Sequence, residues 1–448
     1  MNLPDNLIVD HQSLSELELF HDNSKGISIF DMLNRTVTTG GKDNFTILFS
    51  NPSRKASEII TVQEVIKFLA NNLEGWKIPF TKQLMDQVEV YYFSKTDPVF
   101  SENSPGQILE GIYYWLTRKD YKETAIKGTK STLRFVLEMK KYINKFSMDL
   151  LPAELKRIFK QVNEVYQDKD IQMVCTIDRI ESVGFFDLVT IDQWFRSKHK
   201  DKITLLIDIA YKLDVYLSMA RSVNELKLTF PEIVESDSPV LEMEGLYHLF
   251  LKKPVSNDLV FGEKNQFLFL TGPNMAGKTT FLKSCGIAVY LAQLGMGVPA
   301  KRMKISPFNA LFSSLNTTDN LSIGYSYFYS EVMRVRKAAQ TLQKEKKSLM
   351  IFDELFKGTN IKDAFDGSML VINGLLKWEK SFFILASHLT ELANRIEERP
   401  SVFFRYFDST VENGKPVFSY RICNGKSDER LGLIILQNEN IENMLTPQ

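Results

Sequence analysis

Residues 267–280 read Phe-Leu-Phe-Leu-Thr-Gly-Pro-Asn-Met-Ala-Gly-Lys-Thr-Thr, and this stretch decides the fold. The apolar run 267–270 predicts a buried strand, and the residues from 281 to 294 predict a helix. Between them lies the pattern G-x-x-x-x-G-K-T, which is the phosphate-binding P-loop. Its glycines let backbone N–H groups turn towards a phosphate, and the following helix directs its positive end to the same place. The sequence therefore predicts a nucleotide-binding α/β domain.

The predicted ligand of this loop is ATP with Mg²⁺. Lys278 is expected to reach the β- and γ-phosphates, and the Thr279 hydroxyl is expected to bind the metal ion. The competing interpretation is a glycine-rich turn that binds nothing, which the complete motif between a strand and a helix disfavours. The predicted ATP-binding residues are Gly272, Pro273, Asn274, Met275, Ala276, Gly277, Lys278, Thr279 and Thr280.

A second apolar run, at residues 349–352, ends in the acidic pair Asp353-Glu354. Asp353 is the predicted second Mg²⁺ ligand, held directly or through water. Glu354 is predicted to orient or deprotonate the water that attacks the γ-phosphate. An acidic loop at a strand end would be the better interpretation if the P-loop were not present in the same chain.

A third apolar run, at residues 382–386, ends in Ser387-His388. Because ligands of open parallel sheets bind beyond the carboxyl ends of the strands, His388 is a candidate sensor of the γ-phosphate. Its chemistry alone fits a structural histidine equally well. Further along, residues 402–411 and 416–422 flank Asn413-Gly414, which predicts an antiparallel hairpin at a sheet edge.

Composition limits the class of protein. A chain of 448 residues predicts two or three domains, and its 55 basic and 55 acidic side chains cancel, so a nucleic-acid surface would have to be local. The three cysteines, Cys175, Cys285 and Cys423, lie too far apart for a zinc site or a disulfide framework. The N-terminus is no signal peptide and no long apolar run follows, so we expect a cytoplasmic protein without a membrane partner.

The first half of the chain has helical apolar spacing. Ser13 with Glu16 forms a capping-box pattern, residues 108–116 repeat apolar positions three or four apart, and residues 205–223 lack Gly and Pro. From about residue 235, short apolar runs alternate with helical patterns, as in a parallel sheet. The predicted fold is an all-α domain at 1–235 and a P-loop domain with a mostly parallel sheet at 236–448.

The motifs resemble those of the MutS mismatch-repair ATPases. The string TGPNMAGKTTFLKSCGIAVYLAQLGMGVPA is similar to the family's P-loop and following helix, with Ala276 and Thr279 in place of Gly and Ser. Residues 324–331 resemble the family's signature loop, with Tyr325 in place of Arg. Residues 353–360 resemble its acidic segment, although Phe356 replaces a Gly, and Ser387-His388 matches its Thr-His pair.

The resemblance implies more than the residues alone do. It favours a catalytic role for His388, contact of Ser326 with the γ-phosphate of a partner subunit, and hence a homodimer. Upstream, residues 30–41 and 213–232 are similar to the start and end of the MutS core, or lever, domain. The chain begins at that domain, so we expect a short form without the mismatch-reading domain of the family.

The predicted partner is duplex or branched DNA, in mismatch repair or a related recognition of DNA structure. Residues 118–145 carry nine basic side chains against three acidic ones, and these could contact phosphates, although solvated helix faces explain such runs more often. The alternative function is an ATP-switched clamp on a protein partner that does not bind DNA. The basic residues are Arg118, Lys119, Lys122, Lys127, Lys130, Arg134, Lys140, Lys141 and Lys145.

Overall fold

The computed structural model describes residues 5–21, 26–93, 119–315, 327–412, 415–427 and 444. The chain divides into two compact units. One, here the sheet unit, comprises Met1–Met32, Asn51–Gln63 and Leu226–Gln448. The other, here the helical unit, comprises Leu33–Ser50 and Glu64–Glu225.

The strands found among the described residues belong to the sheet unit and form two sheets. In chain order they are β1 (Ile8–Val9), β2 (Glu232–Ile233), β3 (Leu241–Leu246), β4 (Asn257–Phe261), β5 (Phe267–Thr271), β6 (Arg302–Ile305), β7 (Ala310–Ser314), β8 (Ser348–Asp353), β9 (Phe382–Ala386), β10 (Val402–Glu412) and β11 (Lys415–Asn424).

The α-helices of the described residues occur in both units. They are α1 (His11–Glu16), α2 (Ile29–Leu33), α3 (Thr39–Ser50), α4 (Ala56–Ala70), α5 (Lys82–Phe93), α6 (Lys119–Ile143), α7 (Ala153–Tyr166), α8 (Lys169–Val174), α9 (Phe185–Gln193), α10 (Lys200–Glu225), α11 (Lys278–Gln293), α12 (Tyr327–Lys344), α13 (Ile361–Leu375) and α14 (Thr390–Arg395).

The larger sheet has the order β1-β7-β8-β9-β5-β10-β11, and every neighbouring pair is parallel except β10 with β11. Strands β5, β8 and β9 are buried along their whole length, as their uninterrupted apolar runs predict. Side chains of α12, α13 and α14 join the sheet in one hydrophobic core. The prediction of an α/β domain with a mostly parallel sheet is confirmed.

The predicted hairpin is also present, as the antiparallel pair β10 and β11 at the sheet edge. The turn residues 413 and 414 lie outside the described residues. A smaller sheet, in the order β2-β6-β3-β4, was not predicted. Its strands are short, and buried and exposed positions alternate over only about four residues in β3 and β4.

The N-terminal segment, residues 5–21, differs from the prediction of a helical start. Ile8 pairs with Ala310, so β1 extends the larger sheet beside β7. Helix α1 is capped by Asp10, whose side chain accepts the Ser13 N–H at 2.9 Å. Ser13 is therefore not the cap, and Glu16 instead binds the Ser313 hydroxyl at 2.6 Å. The cap prediction is wrong because Asp10, three residues earlier, starts the helix.

The boundary predicted at residues 235 and 236 is corrected in the same way. The sheet unit includes two early segments, and it resumes at Leu226, directly after α10. A single cut along the chain cannot describe this arrangement, because the pairing of β1 with β7 joins residues 300 positions apart.

The elements described in the helical unit are helices or helical turns. The predicted helix at 205–223 is confirmed within α10, most of whose residues are buried. The buried Asp214 of α10 accepts N–H groups of Val37 and Thr38 at 3.0 and 2.8 Å, which ties α10 to the start of α3. The predicted helix at 108–116 lies outside the described residues. Among those described, no helix is both long and apolar enough to span a membrane.

Candidate active site

The carboxyl ends of three adjacent strands meet at one edge of the larger sheet. In the register of β8, β9 and β5, Asp353 lies beside Ala386, and Ala386 lies beside Leu270. The chain leaves these strands into the P-loop, into the loop that begins at Glu354, and into Ser387-His388. The topology therefore brings together three motifs that are far apart in the sequence.

The P-loop has three residues in the left-handed backbone region. Gly272 has φ 136°, Met275 has φ 67° and Gly277 has φ 105°. A Cβ at position 272 would also lie 3.1 Å from the Cβ of Phe407. Both glycines are thus required by the backbone, and Gly277 is the N-cap of α11. The N-terminus of α11 faces the loop and favours an anionic ligand.

The Lys278 side chain is buried at the centre of this loop. Its Nζ atom donates to the carbonyl oxygens of Gly272 and Pro273, at 2.9 and 3.0 Å. Burial lowers the pKa of Lys278, and the charges of Asp353 and Glu354 act in the opposite direction. The ammonium group therefore lies against the backbone carbonyl groups at the start of the loop.

Thr279 and Asp353 form the predicted pair at the strand end. The Thr279 hydroxyl donates to Oδ2 of Asp353, whose side chain is buried. A hydroxyl and a carboxylate are the hard oxygen donors that Mg²⁺ prefers, with water and phosphate completing the octahedron. These two residues fit the metal ion that the P-loop implies.

Glu354 follows Asp353 in a left-handed conformation, with φ 64°. Its N–H donates to the carbonyl of Ala386 at 2.9 Å, so the residue is fixed to the end of β9. Its Oε1 lies 2.9 Å from Nε2 of His388, and its Oε2 lies 3.5 Å from Nζ of Lys357. Glu354 is thus the centre of a small charged group.

The pKa of Glu354 is lowered. Burial alone would raise it, but the hydrogen bond from His388 and the charges of Lys357, His388 and Lys278 outweigh that effect. The carboxyl group is consequently ionised at neutral pH. An ionised carboxylate is the form that accepts a proton from water.

The His388 ring contacts both other motifs. Its Nε2 lies 2.6 Å from Oδ1 of Asn274 and 3.2 Å from Nζ of Lys278, in addition to Glu354. The carboxylate and the amide oxygen can only accept, so these two contacts require a hydrogen on Nε2, and the Lys278 ammonium, which can only donate, is then a neighbour of Nε2 without a hydrogen bond to it. His388 therefore links the P-loop to Glu354 as a donor.

Phe356, the residue that departs from the glycine of the motif this segment resembles, has a left-handed backbone with φ 61°. The side chain is buried, and its ring packs 5.7 Å from the ring of Phe328. An ideal Cβ on Gly367 would lie 3.0 Å from the Phe356 ring, so a small residue is needed there. Burial of the aromatic ring offsets the backbone strain of about 1–2 kcal/mol.

A cavity of about 300 Å³ beside the P-loop was not predicted from sequence. Tyr247, Phe407 and Tyr420 line it together with Met275 and Gly277. It is formed from segments remote in the chain, at residues 246–257, 275–284, 407 and 420, so no local pattern identifies it. His248 also lines it, and among the described residues the buried Nε2 of His248 has no hydrogen-bond partner.

The other predicted site residues lie in the P-loop, in the first turn of α11 and in the signature-like loop. Ala276 is buried in the loop, and Thr280, in the first turn of α11, lines the cavity. Ser326 lies outside the described residues, as do Gly324 and Tyr325 of the signature-like loop. Glu331, the last residue of that motif, lies on α12 and is buried.

The basic run of the helical unit occupies α6. Lys127, Arg134 and Lys141 are exposed and recur every seven residues, which places them along one face of the helix. Arg134 pairs with the exposed Glu181 at 3.0 Å. Lys130 and Lys140 are half-buried and Lys145 is exposed just after the helix. Arg118 and the side chains of Lys119 and Lys122 lie outside the described residues.

The sequence of this chain is similar to those of known DNA mismatch repair proteins. Residues 268–445 match the family model of MutS domain V. The chain is 29% identical over 234 residues to the DNA mismatch repair protein MutS of Lysinibacillus sphaericus, which covers 50% of this chain and 27% of that protein. It is 23% identical over 498 residues to the DNA mismatch repair protein MSH7 of Arabidopsis thaliana, covering 98% of this chain and 44% of that protein.

A third relative, MutS of Geobacillus thermodenitrificans, is 30% identical over 235 residues, covering 50% of this chain and 25% of that protein. The chain thus spans 25% to 44% of the length of these curated relatives. The matched region contains the P-loop, Asp353-Glu354 and Ser387-His388, the three motifs that meet at the sheet edge. Residues 268–445 are thus similar to MutS domain V, and the chain resembles MutS-family proteins over much of its length.

Proposed function

We propose that this protein binds ATP with Mg²⁺ at the P-loop and hydrolyses the bond to the γ-phosphate. The observation that carries the proposal is the meeting of Lys278, the Thr279 and Asp353 pair, and the Glu354 and His388 pair at adjacent strand ends. Their charges and chemistry are those that phosphoryl transfer to water requires.

Binding would begin with the phosphates. The N–H groups of the loop and the N-terminus of α11 would receive phosphate oxygens. Lys278 would exchange its two carbonyl partners for charge-assisted hydrogen bonds to the β- and γ-phosphates. The adjoining cavity has the aromatic walls that stack on a purine, and His248 offers a polar atom there.

Thr279 and Asp353 would hold Mg²⁺, which when bound neutralises charge on the β- and γ-phosphates. Glu354, ionised and fixed by its N–H to Ala386, would take a proton from the attacking water. The water oxygen then bonds to the γ-phosphorus, and the bond to the β-phosphate oxygen breaks, giving ADP and phosphate. His388 would keep Glu354 oriented, and Lys278 would stabilise the charge that develops on the phosphates.

The test compares ATP turnover and ATP affinity in the wild type, in Lys278→Ala and in the control Lys264→Ala. Lys264 is exposed in the turn between β4 and β5, so its loss should change neither quantity. Lys278→Ala should reduce turnover by about 100-fold or more, because the phosphates lose their buried cation. Full turnover in Lys278→Ala would show that another site hydrolyses ATP.

The proposal extends to DNA, because the relatives are named as DNA mismatch repair proteins and α6 carries a row of exposed cations. We propose that the partner is duplex or branched DNA, and its binding would be measured at low salt with duplexes that do and do not contain a mismatch and with a branched DNA. Affinity that falls steeply as salt rises is the expected result. A protein that hydrolyses ATP and binds none of these DNAs would instead be the ATP-switched clamp on a protein partner.

A homodimer with Ser326 at the partner's γ-phosphate also belongs to the proposal, and it rests on the resemblance of the signature-like loop. Sedimentation of the wild type with and without ATP measures the state of association. In such a homodimer each site combines Lys278 of one subunit with Ser326 of the other. A mixed dimer of one Ser326→Ala and one Lys278→Ala subunit would therefore have one site with both changes and one site with neither. The cytoplasmic location stays a prediction from the sequence.

A further inference from the structure

A buried charge network joins the N-terminal segment to helix α12. Arg334, in the middle of α12, is 6% exposed and donates to both oxygens of Asp10, one of them at 3.1 Å. The same guanidinium donates to the Ser13 hydroxyl at 2.9 Å and to the carbonyl of Ser313. It also lies 3.9 Å from the centre of the Phe312 ring. Arg334 thus fixes α12 against α1 and the end of β7.

The Asp10 side chain has two tasks in this network. It caps α1, and its paired oxygens face Arg334. Burial alone would raise its pKa, but the hydrogen bond and charge of Arg334 keep that pKa below its ordinary value. The pair is therefore charged at neutral pH, and α12 is held by an ion pair as well as by packing.

One turn before Arg334, Glu331 contacts the loop that follows Glu354. Its Oε1 accepts the N–H of Lys357 at 3.0 Å, and its Oε2 accepts the N–H of Gly358 at 3.1 Å. The Glu331 side chain is buried, so these two N–H groups have a partner that water cannot replace. Both oxygens of one carboxylate are used to hold this short turn.

The turn held by Glu331 directly follows two residues with a strained backbone. Glu354 and Phe356 both have positive φ, and such a backbone persists in a non-glycine residue only where its surroundings fix it. The Phe328 ring of α12 packs on Phe356, which adds a second contact from the same helix. Helix α12 therefore supports the loop through a carboxylate and through an aromatic ring.

We infer that Glu331 is a positioning residue for Glu354, and that the Asp10 and Arg334 ion pair sets Glu331 by fixing α12. The N-terminal segment then completes the active site without touching the nucleotide. This inference rests on the proposed hydrolysis of ATP, because its effect is on how well Glu354 meets the attacking water. Misplacement of a catalytic group by about 1 Å is enough to reduce turnover by about 100-fold.

The first test is Glu331→Gln, which keeps the shape but turns one oxygen into a donor that faces an N–H group. We expect kcat to fall by about 10-fold to 100-fold while the Kd for ATP changes by less than about twofold. Glu331→Asp, which keeps the charge, should retain more turnover than Glu331→Gln. Arg336→Gln, an exposed change on the same helix, is the matched control.

A readout without turnover separates the inference from the proposed function. Hydrogen exchange at the amides of Lys357 and Gly358 should be faster by about 10-fold or more in Glu331→Gln, with the thermal midpoint monitored for loss of fold. Wild-type protein without ATP turnover would contradict the proposed function. Unchanged exchange at these two amides, or an unchanged kcat, would overturn the positioning role.

The second test is Asp10→Asn, which keeps the helix cap but removes the charge opposite Arg334. We expect kcat to fall by about 3-fold to 10-fold, and less than additively when combined with Glu331→Gln, because both changes act on one helix. Strictly additive effects, or no effect of Asp10→Asn, would overturn the part assigned to the N-terminal segment. The Kd for ATP should again stay within about twofold.

Discussion

The charges at the strand ends and the charges on α6 are arranged in opposite ways. Lys278, Asp353, Glu354 and His388 converge and share partners within hydrogen-bond distance, and the first three are at least partly buried. On α6, Lys127, Arg134 and Lys141 are exposed and spaced along one helix face. Convergent charges change one another's pKa and serve chemistry at one point. A spaced row has little mutual effect and suits a long polyanion.

The contrast is sharpest at Glu354, where we expect the largest effect. Glu354→Gln removes the proton acceptor but leaves Lys278, Thr279 and Asp353 in place. Turnover should fall by about 100-fold or more, with ATP still bound. Single-turnover hydrolysis and nucleotide titration measure the two quantities separately.

Glu398→Gln, an exposed carboxylate of the same unit, is the control and should leave both quantities unchanged. If Glu354→Gln kept its turnover, the convergent charges would bind the nucleotide without supplying the base. The conclusion that the convergent charges catalyse hydrolysis, while the row on α6 only binds, would then be wrong.

The next effect tests the row on α6. Replacing Lys127, Arg134 and Lys141 together by Gln should weaken DNA binding by roughly 30-fold at low salt and reduce the salt slope by about 2–3. Turnover of ATP without DNA should not change, because the row has no part in the chemistry. Titrations of labelled duplex at several salt concentrations give the slope.

The charge-matched control replaces Lys156, Lys160 and Lys169, which are exposed in the same unit but do not share a face of α6. Equal losses from the two triple variants would mean that total charge, and no particular helix face, determines the affinity. If neither variant affected DNA binding, α6 would not be part of the DNA-binding surface.

His388 should give a smaller effect. His388→Asn removes the hydrogen bond that helps to lower the pKa of Glu354, so that pKa should rise. Protonated Glu354 cannot accept a proton, and the acid limb of the pH–rate profile should therefore move to higher pH. We expect turnover at neutral pH to fall by about 10-fold.

A profile with an unmoved acid limb would contradict this link between His388 and Glu354. Ser387→Ala is the neighbouring control, since the Ser387 hydroxyl accepts the N–H of Leu389 at 3.1 Å and does not contact Glu354. It should leave the limb where it is in the wild type.

The smallest effect concerns stability in the helical unit, where a convergent group also occurs. Hydrogen bonds from Arg157 outweigh burial and, with Lys212, lower the pKa of Glu154 to about 2. A lowered folded-state pKa gives stability above the unfolded value of 4.5, and this is lost as pH falls towards 2. Glu154→Gln should cost about 1–2 kcal/mol of unfolding free energy at pH 7.

Urea unfolding of Glu154→Gln and wild type at pH 7 and at pH 3 measures this difference, which should be smaller at pH 3. Glu164→Gln changes an exposed carboxylate of the same helix and is the control. A deficit that is equal at both pH values would assign the loss to packing and leave the charged hydrogen bonds without a role.

Sequence predicted the parts of the site that are local in the chain. The P-loop, Asp353-Glu354 and Ser387-His388 each follow an apolar run, and parallel strands bring their carboxyl ends to one edge. The order β8-β9-β5 and the distances between His388, Glu354 and Lys278 could not be predicted, because they depend on the pairing of β9 with β5, which are more than 100 residues apart in the chain.

The early segments were assigned to the wrong unit for the same reason. Residues 8 and 9 form too short an apolar run to identify a strand, and only pairing with β7 makes them one. The capping-box pattern at Ser13 and Glu16 is genuine as a pattern, but the two side chains are used for contacts with β7. Local pattern and tertiary contact compete, and here the buried contact determines the structure.

The pairing of β1 with β7 also affects how the chain can be synthesised. A ribosome releases the N-terminal segment early, yet its partners Ser313 and Arg334 emerge about 300 residues later. At about 5–20 residues per second, β1 and the charged Asp10 wait tens of seconds for their contacts. During that interval the helical unit can already fold, so the larger sheet is the part of the protein that is completed last.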